Sequence, residues 1–169
     1  MKMSEGSAGQ HVTVERVRTP DGLAEAQALR VRVFVDEQGV PAEEEVDALD
    51  TDPTTTHLVL RDRDGVVVAT GRLLTDPARP GEVHVGRVAV DATWRGTGLG
   101  ALLMRELEAV ALAEHADTGR CRVVLSAQLQ AVGFYERLGY AVEGPVYLDA
   151  GIEHRDAAKT LRPTTRRSG

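Results

Sequence analysis

Three glycines at alternate positions, Gly96, Gly98 and Gly100, stand in "VAVDATWRGTGLGALLMRELE" between an apolar run and a stretch of helical periodicity. Such a chain leaves a strand, turns at once and enters a helix whose first backbone N–H groups have no partner inside it. Glycines remove the Cβ atoms that would hold a ligand away, and the helix N-terminus carries partial positive charge, so an anionic phosphate is the natural guest. Arg95 adds a full positive charge at the same edge. A purely structural turn also accounts for the glycines. A P-loop is disfavoured because no Lys-Ser or Lys-Thr follows, and a dinucleotide fingerprint needs Gly-x-Gly-x-x-Gly early in a βαβ unit. The spacing that fits is Arg-x-x-Gly-x-Gly.

The flanking pattern sets the fold class. "HVTVERV" alternates as a strand, and Thr19-Pro20 offers an N-cap with proline at the first helical position of "DGLAEAQALRVRVFVDEQ". The segment "GVPAEEEVDALDTDPTTT" predicts a functional loop or short helix, and "HLVLRDRDGVVVATGRLL" predicts a hairpin across Asp64-Gly65. "EVHVGRVAV", "CRVVLSAQ" and "YAVEGPVYL" read as strands, with "HRDAAKTL" a candidate further one. "GLGALLMRELEAVALAEHA" and "LQAVGFYERLG" read as helices, the second closed by Gly139. The order predicts an α/β fold, a mixed sheet flanked by helices.

At 169 residues and 42% hydrophobic, the chain fits one domain. The polar ends, residues 1–11 and 163–169, are expected to be flexible termini around a domain at 12–162. A net charge of -6 disfavours nucleic acid as a partner, because few cations are available to replace its counterions. The single Cys121 makes no internal disulfide, and no Cys/His set has metal-ligand spacing, so no metal is expected. Without an export signal or a membrane-length apolar run, the expectation is a cytoplasmic protein with no membrane partner.

With these residues in place, the sequence resembles the GNAT N-acetyltransferases. Arg95, Gly98 and Gly100 after "VAVDATW" look like that family's acetyl-coenzyme A motif, and "AVGFYERLGY" is similar to its later helix. "RVRVFVDEQGVPAEEEVDALD" and "GIEH" resemble the ElaA-like branch. The resemblance implies a single GNAT-like domain with a mostly antiparallel sheet of about six or seven strands. It implies acetyl-coenzyme A as co-substrate, a small-molecule or peptide amine as acceptor, and direct attack in a ternary complex. Val88 and Val90 would pair with the pantetheine arm, while Arg95, Gly96, Thr97, Gly98, Leu99 and Gly100 would surround the pyrophosphate. Gln128 would take the place of an Asn common in the family. Homodimers are common there.

Transfer to an amine needs a base, since an alkylamine of pKa near ~10 is only about one part in a thousand neutral at pH 7. His84 is the first candidate, because a period of two puts it on one face with Gly86, Val88 and Val90. A strand-end histidine with no role is the plainer reading. The resemblance makes Tyr135 the acid that protonates the leaving thiolate; a core aromatic beside Phe134 is its alternative. Arg32, Glu37, Gln38, His57 and His154 are acceptor-pocket candidates, and the carboxylates from Glu43 to Asp52 could attract an ammonium group. Cys121 as a nucleophile is disfavoured, having no nearby His in sequence. Against the enzyme stand a non-catalytic acetyl-coenzyme A sensor or structural module and a small nucleotide-binding protein.

Overall fold

In the computed structural model, which describes residues 2–5 and 11–164, the first long helix starts at the expected cap. The Thr19 backbone is extended, its hydroxyl accepts a hydrogen bond from the Gly22 N–H at 3.1 Å, and Pro20 opens α1 (Pro20–Arg30). The helix does not stop at Arg30. It widens into a π-helical segment, Val31–Glu37, which carries the chain to Gln38. The other α-helices are α2 (Ala42–Glu45), α3 (Leu99–His115) and α4 (Val132–Arg137).

The strands are β1 (Lys2–Glu5), β2 (His11–Arg16), β3 (Thr56–Arg61), β4 (Val67–Thr75), β5 (Glu82–Val90), β6 (Cys121–Gln128), β7 (Ala141–Asp149) and β8 (Ile152–Leu161). They form one mixed sheet in the order β1-β2-β3-β4-β5-β6-β8-β7. Seven follow from the sequence pattern. The eighth, β1, corrects the expectation of a frayed start, since Lys2–Glu5 pairs antiparallel with His11–Val14 of β2. Residues 1, 6–10 and 165–169, also expected to be flexible, lie outside the described residues.

Strand alternation sorts apolar side chains onto two faces. Leu58, Leu60, Val83, Val85, Val123 and Leu125 join Leu103, Met104 and Leu107 of α3 in the larger core, with Phe134 and Tyr135 of α4 packed against it. Val59, Val67 and Ala89 join Ala26, Leu29 and Val33 in a smaller core under α1. That smaller core draws only on β3, β4 and β5 among the strands, so the same face of β6, β8 and β7 belongs to neither apolar cluster.

Two irregularities in β5 shape the molecule around it. Its parallel ladder with β6 runs from Glu82–Arg122 to Val85–Leu125 and stops, although β5 continues to Val90 and β6 to Gln128. Against β4 the register slips between Thr70–Ala89 and Arg72–Gly86, and Arg87 takes φ of 51°. This bulge overturns the regular-strand expectation. One extra residue reverses the alternation, so Val88 and Val90 pack on the α3 side with Val83 and Val85, while His84 lies on the opposite face.

A left-handed backbone at a residue with a Cβ costs about 1–2 kcal/mol and needs support. The acidic segment supplies it. The Arg87 guanidinium donates to the Glu45 carbonyl at 3.3 Å and the Glu44 carbonyl at 3.2 Å, and lies 3.5 Å from Asp47. Buried Arg30 pairs with Glu45 and Asp50 at 2.8 Å each, and buried Arg72 pairs with Asp47 at 2.7 Å and Asp50 at 3.0 Å. The centre of the run therefore does not await a cationic substrate: Glu45, Asp47 and Asp50 are neutralised by three arginines.

Burial pushes the Asp50 carboxyl up, but hydrogen bonds from Arg30, Gln27 and Arg72 outweigh it and hold its pKa below the ordinary value of 3.8. A depressed folded pKa contributes stability that is present above the unfolded value and lost as pH falls through the folded one. We expect Asp50→Ala, which leaves two buried arginines short of a partner, to lower the free energy of unfolding in urea by about 3–5 kcal/mol. A loss below about 1 kcal/mol would show that the cluster does not hold this wall. Wild-type stability should fall on acidification below that carboxylate range.

Candidate functional site

Where the ladder ends, β5 and β6 part and open a cleft of about 860 Å³, within the size range of small-molecule sites. One end is built by the glycine turn. Asp91 caps a 3-10 turn, Ala92–Trp94, accepting from the Thr93 N–H at 3.0 Å, and the chain then passes through Gly96 (φ 80°) and Gly98 (φ 87°) into α3. A Cβ at either glycine would meet nothing within 4 Å, so the backbone conformation is what requires glycine there. α3 begins on Gly98 with no side-chain cap, unlike α1, so its first N–H groups are left to a ligand or solvent.

Gly100 serves a different purpose. A Cβ there would come within 3.2 Å of the Phe134 ring, so this glycine lets α4 close against the start of α3. Phe134 meets Tyr135 edge-on at 5.0 Å, and Tyr135 meets Tyr140 edge-on at 5.9 Å. Burial raises the Tyr135 phenol to about 12. It stays protonated at neutral pH and faces the cleft as a donor.

His84 also lines the cleft. Its ring is exposed, yet the protein around it disfavours the charged form and lowers its pKa against the opposing pull of Asp156. The imidazole is therefore neutral at pH 7 and able to accept a proton. The structure thus brings His84, Tyr135, Val88, Val90, Arg95, Gly96, Gly98, Leu99, Gly100 and Gln128 to one cleft. Thr97 is outside the cleft lining and donates its hydroxyl to the Trp94 carbonyl.

The acceptor-pocket candidates separate. Gln38 lines the cleft and bridges its two sides, accepting from Gln128 Nε2 at 2.7 Å. His154 lines it too, with Nδ1 2.7 Å from the Ile152 carbonyl and its ring stacked on Tyr147 at 6.0 Å. Arg32 is corrected: it is exposed behind the glycine turn, 3.5 Å from Asp91, outside the cleft lining. Glu37 likewise belongs to the opposite end, paired with Arg95 at 2.7 Å. His57 is buried, with Nε2 3.0 Å from the Asp50 carbonyl, and supports the ionic cluster instead. Cys121 is buried and its thiol pushed up by burial, which removes it as a nucleophile.

Sequence reasoning missed Arg72, Arg87, Phe34 and Asp149 in the lining, whereas Glu44 of the acidic run reaches it. The arginines had no local signal, since their partners lie 22 to 43 residues away. No metal-holding group of His, Cys, Asp and Glu occurs among the described residues, and no helix there is long and apolar enough to cross a membrane.

This architecture has known counterparts. An N-acetyltransferase of uncharacterised role from Bacillus subtilis, YjcF, is 37% identical over 143 residues, covering 84% of this chain and 95% of the relative. The structure of Escherichia coli ElaA superposes with a TM-score of 0.78 at 26% identity, covering 88% of this chain and 99% of that one. An acyl-CoA N-acyltransferase of Pseudomonas aeruginosa superposes with a TM-score of 0.74 at 37% identity, covering 89% and 99%. The acetyltransferase (GNAT) domain model matches residues 20–161, and with the splayed strands and glycine turn in view, the chain belongs to the GNAT family of acyltransferases.

Proposed function

We propose that this acyltransferase moves an acetyl group from acetyl-coenzyme A to a primary amine by direct attack in a ternary complex. One observation carries the reading: the uncapped start of α3 beside Arg95 opens into the same cleft as Tyr135 and His84. The coenzyme supplies the activated acyl group as a thioester. Gly96 and Gly98 leave room for its pyrophosphate, and Arg95 balances the charge. The β5 edge that faces β6 has no ladder partner past Val85, which leaves backbone there to pair with an extended arm near Val88 and Val90.

Glu37 competes with that phosphate for Arg95, so cofactor binding exchanges one anion for another at the same guanidinium. Gln128 reaches the cofactor by giving up its bond to Gln38. At the reacting end, His84 accepts the ammonium proton and Tyr135 donates one to the departing thiolate. Moving a proton from a phenol near 12 to an ordinary thiolate near ~8.5 is uphill by about 5 kcal/mol. The transfer works because the thiolate forms in the same dry corner, where burial raises its own pKa.

Incubation with acetyl-coenzyme A and a panel of primary amines should release coenzyme A thiol above the amine-free rate. Tight acetyl-coenzyme A binding without turnover would instead make the protein a non-catalytic module, and stabilisation by NAD rather than acetyl-coenzyme A would point to a nucleotide binder. Gly98→Val should weaken acetyl-coenzyme A binding at least ~10-fold by calorimetry, because a β-branched residue strains at a positive φ. Wild-type affinity in that variant would remove the phosphate assignment. Tyr135→Phe should lower kcat about 100-fold with little change in cofactor affinity. Unchanged kcat with weaker binding would reduce Tyr135 to positioning.

A further inference from the structure

Acyl transfer to an ammonium removes two protons from nitrogen, since the ammonium carries three N–H bonds and the amide one. One proton ends on the departing thiol and the other in solvent. His84 accounts for one acceptance, so a second acceptor has to face the cleft.

The open face of β6, β8 and β7 holds a hydrogen-bonded chain that fits. The Ser126 hydroxyl contacts the Tyr147 hydroxyl, and Tyr147 Oη donates to Asp156 Oδ1 at 2.7 Å. The chain has a fixed polarity. Tyr147 has one hydroxyl hydrogen and gives it to Asp156, so Ser126 must donate to Tyr147, leaving the serine lone pairs to accept from outside. Ser126 lines the cleft and is the first β6 residue beyond the last ladder pair, at the point where the strands part. It shares its face with His84, because each alternates with core residues of its strand, and its β8 partner is Asp156. Asp156 is exposed. The chain therefore runs from cleft to solvent.

We propose that Ser126, Tyr147 and Asp156 form a proton exit for the acceptor nitrogen, an inference that rests on the amine acyl-transfer reading. While His84 takes the ammonium proton before attack, this chain takes the proton that nitrogen sheds as the new C–N bond forms. The N–H bond breaks as Ser126 Oγ gains that hydrogen. The serine hydrogen passes to Tyr147 Oη, and the tyrosine hydrogen passes to Asp156 Oδ1. Nitrogen has lost one proton and Asp156 is a neutral acid, which then yields its proton to water; rotation of the two hydroxyls resets the chain. Burial and the neighbouring Asp156 raise the Tyr147 phenol, which keeps it a relay rather than a phenolate.

The surroundings suit the task. Glu143 of β7 pairs with Asp156 in register, but its charge is taken by Arg122 of β6 at 2.8 Å, and Asp149 of β7 and His84 of β5 act on the chain only through space. His154 is then a positioning residue, holding the Tyr147 ring by stacking.

The test uses the full chain with acetyl-coenzyme A and tyramine, spermidine and a lysine peptide as acceptor probes. Tyr147→Phe and Asp156→Asn should each lower kcat about 10- to 100-fold, with acetyl-coenzyme A affinity and melting temperature unchanged. In mixed light and heavy water the wild-type rate should bow, as several protons move together, and straighten in Tyr147→Phe. Turnover by the wild type with both variants within about twofold of it, and the same bowed dependence on heavy water in Tyr147→Phe, overturns the exit alone. No turnover by the wild type with any amine overturns the transfer reading and the exit with it.

Discussion

The parting of β5 from β6 beyond Val85–Leu125 is the constraint on which the rest of the structure depends. A continuous parallel ladder would close the sheet and leave no cleft. The bulge at Arg87 re-aims β5 at the place where pairing ends, and its left-handed backbone persists because the surrounding structure holds it. That hold comes from an ionic cluster, in which Glu45, Asp47 and Asp50 bind Arg30, Arg72 and Arg87. The pairs are expensive to bury, so their value lies less in net stability than in fixing α2 and the following turn over the bulge.

The cleft that results has two chemically different ends. At the glycine turn, a helix start without a cap and an arginine create an anion site, partly satisfied by Glu37. At the other end, the three arginines and three carboxylates near the bulge pair with one another. Apolar Val33, Phe34, Val40 and Leu74 line that region, with Glu44 and Asp149 also in the wall. The division follows from topology: the turn after β5 feeds α3, whereas the other end is roofed by the segment after α1.

The glycine turn, the Thr19 cap, the hairpin and the later aromatic helix were legible because each rests on contacts between near neighbours in sequence. The bulge was not. Arg87 carries none of the glycine signature that marks a positive φ, and a slip of one residue put Val88 on the wrong face from His84. The acidic run misled for a related reason: a local charge count cannot reveal Arg72 or Arg87, which the fold brings back from 22 to 43 residues away. His57 and Arg32 looked available for the same reason, and tertiary partners claimed both. Gly100 shows the subtler case, a glycine of the turn whose missing Cβ leaves room for the Phe134 ring.

Ser126 ties the split in the sheet to the acceptor face. Its strand alternates between core and open face, and the ladder's end leaves it without a parallel neighbour on β5. The same break that admits a ligand therefore exposes a hydroxyl already engaged, through Tyr147, with a surface carboxylate. In this fold, the opening of the cleft and the opening of a path for protons are a single structural event.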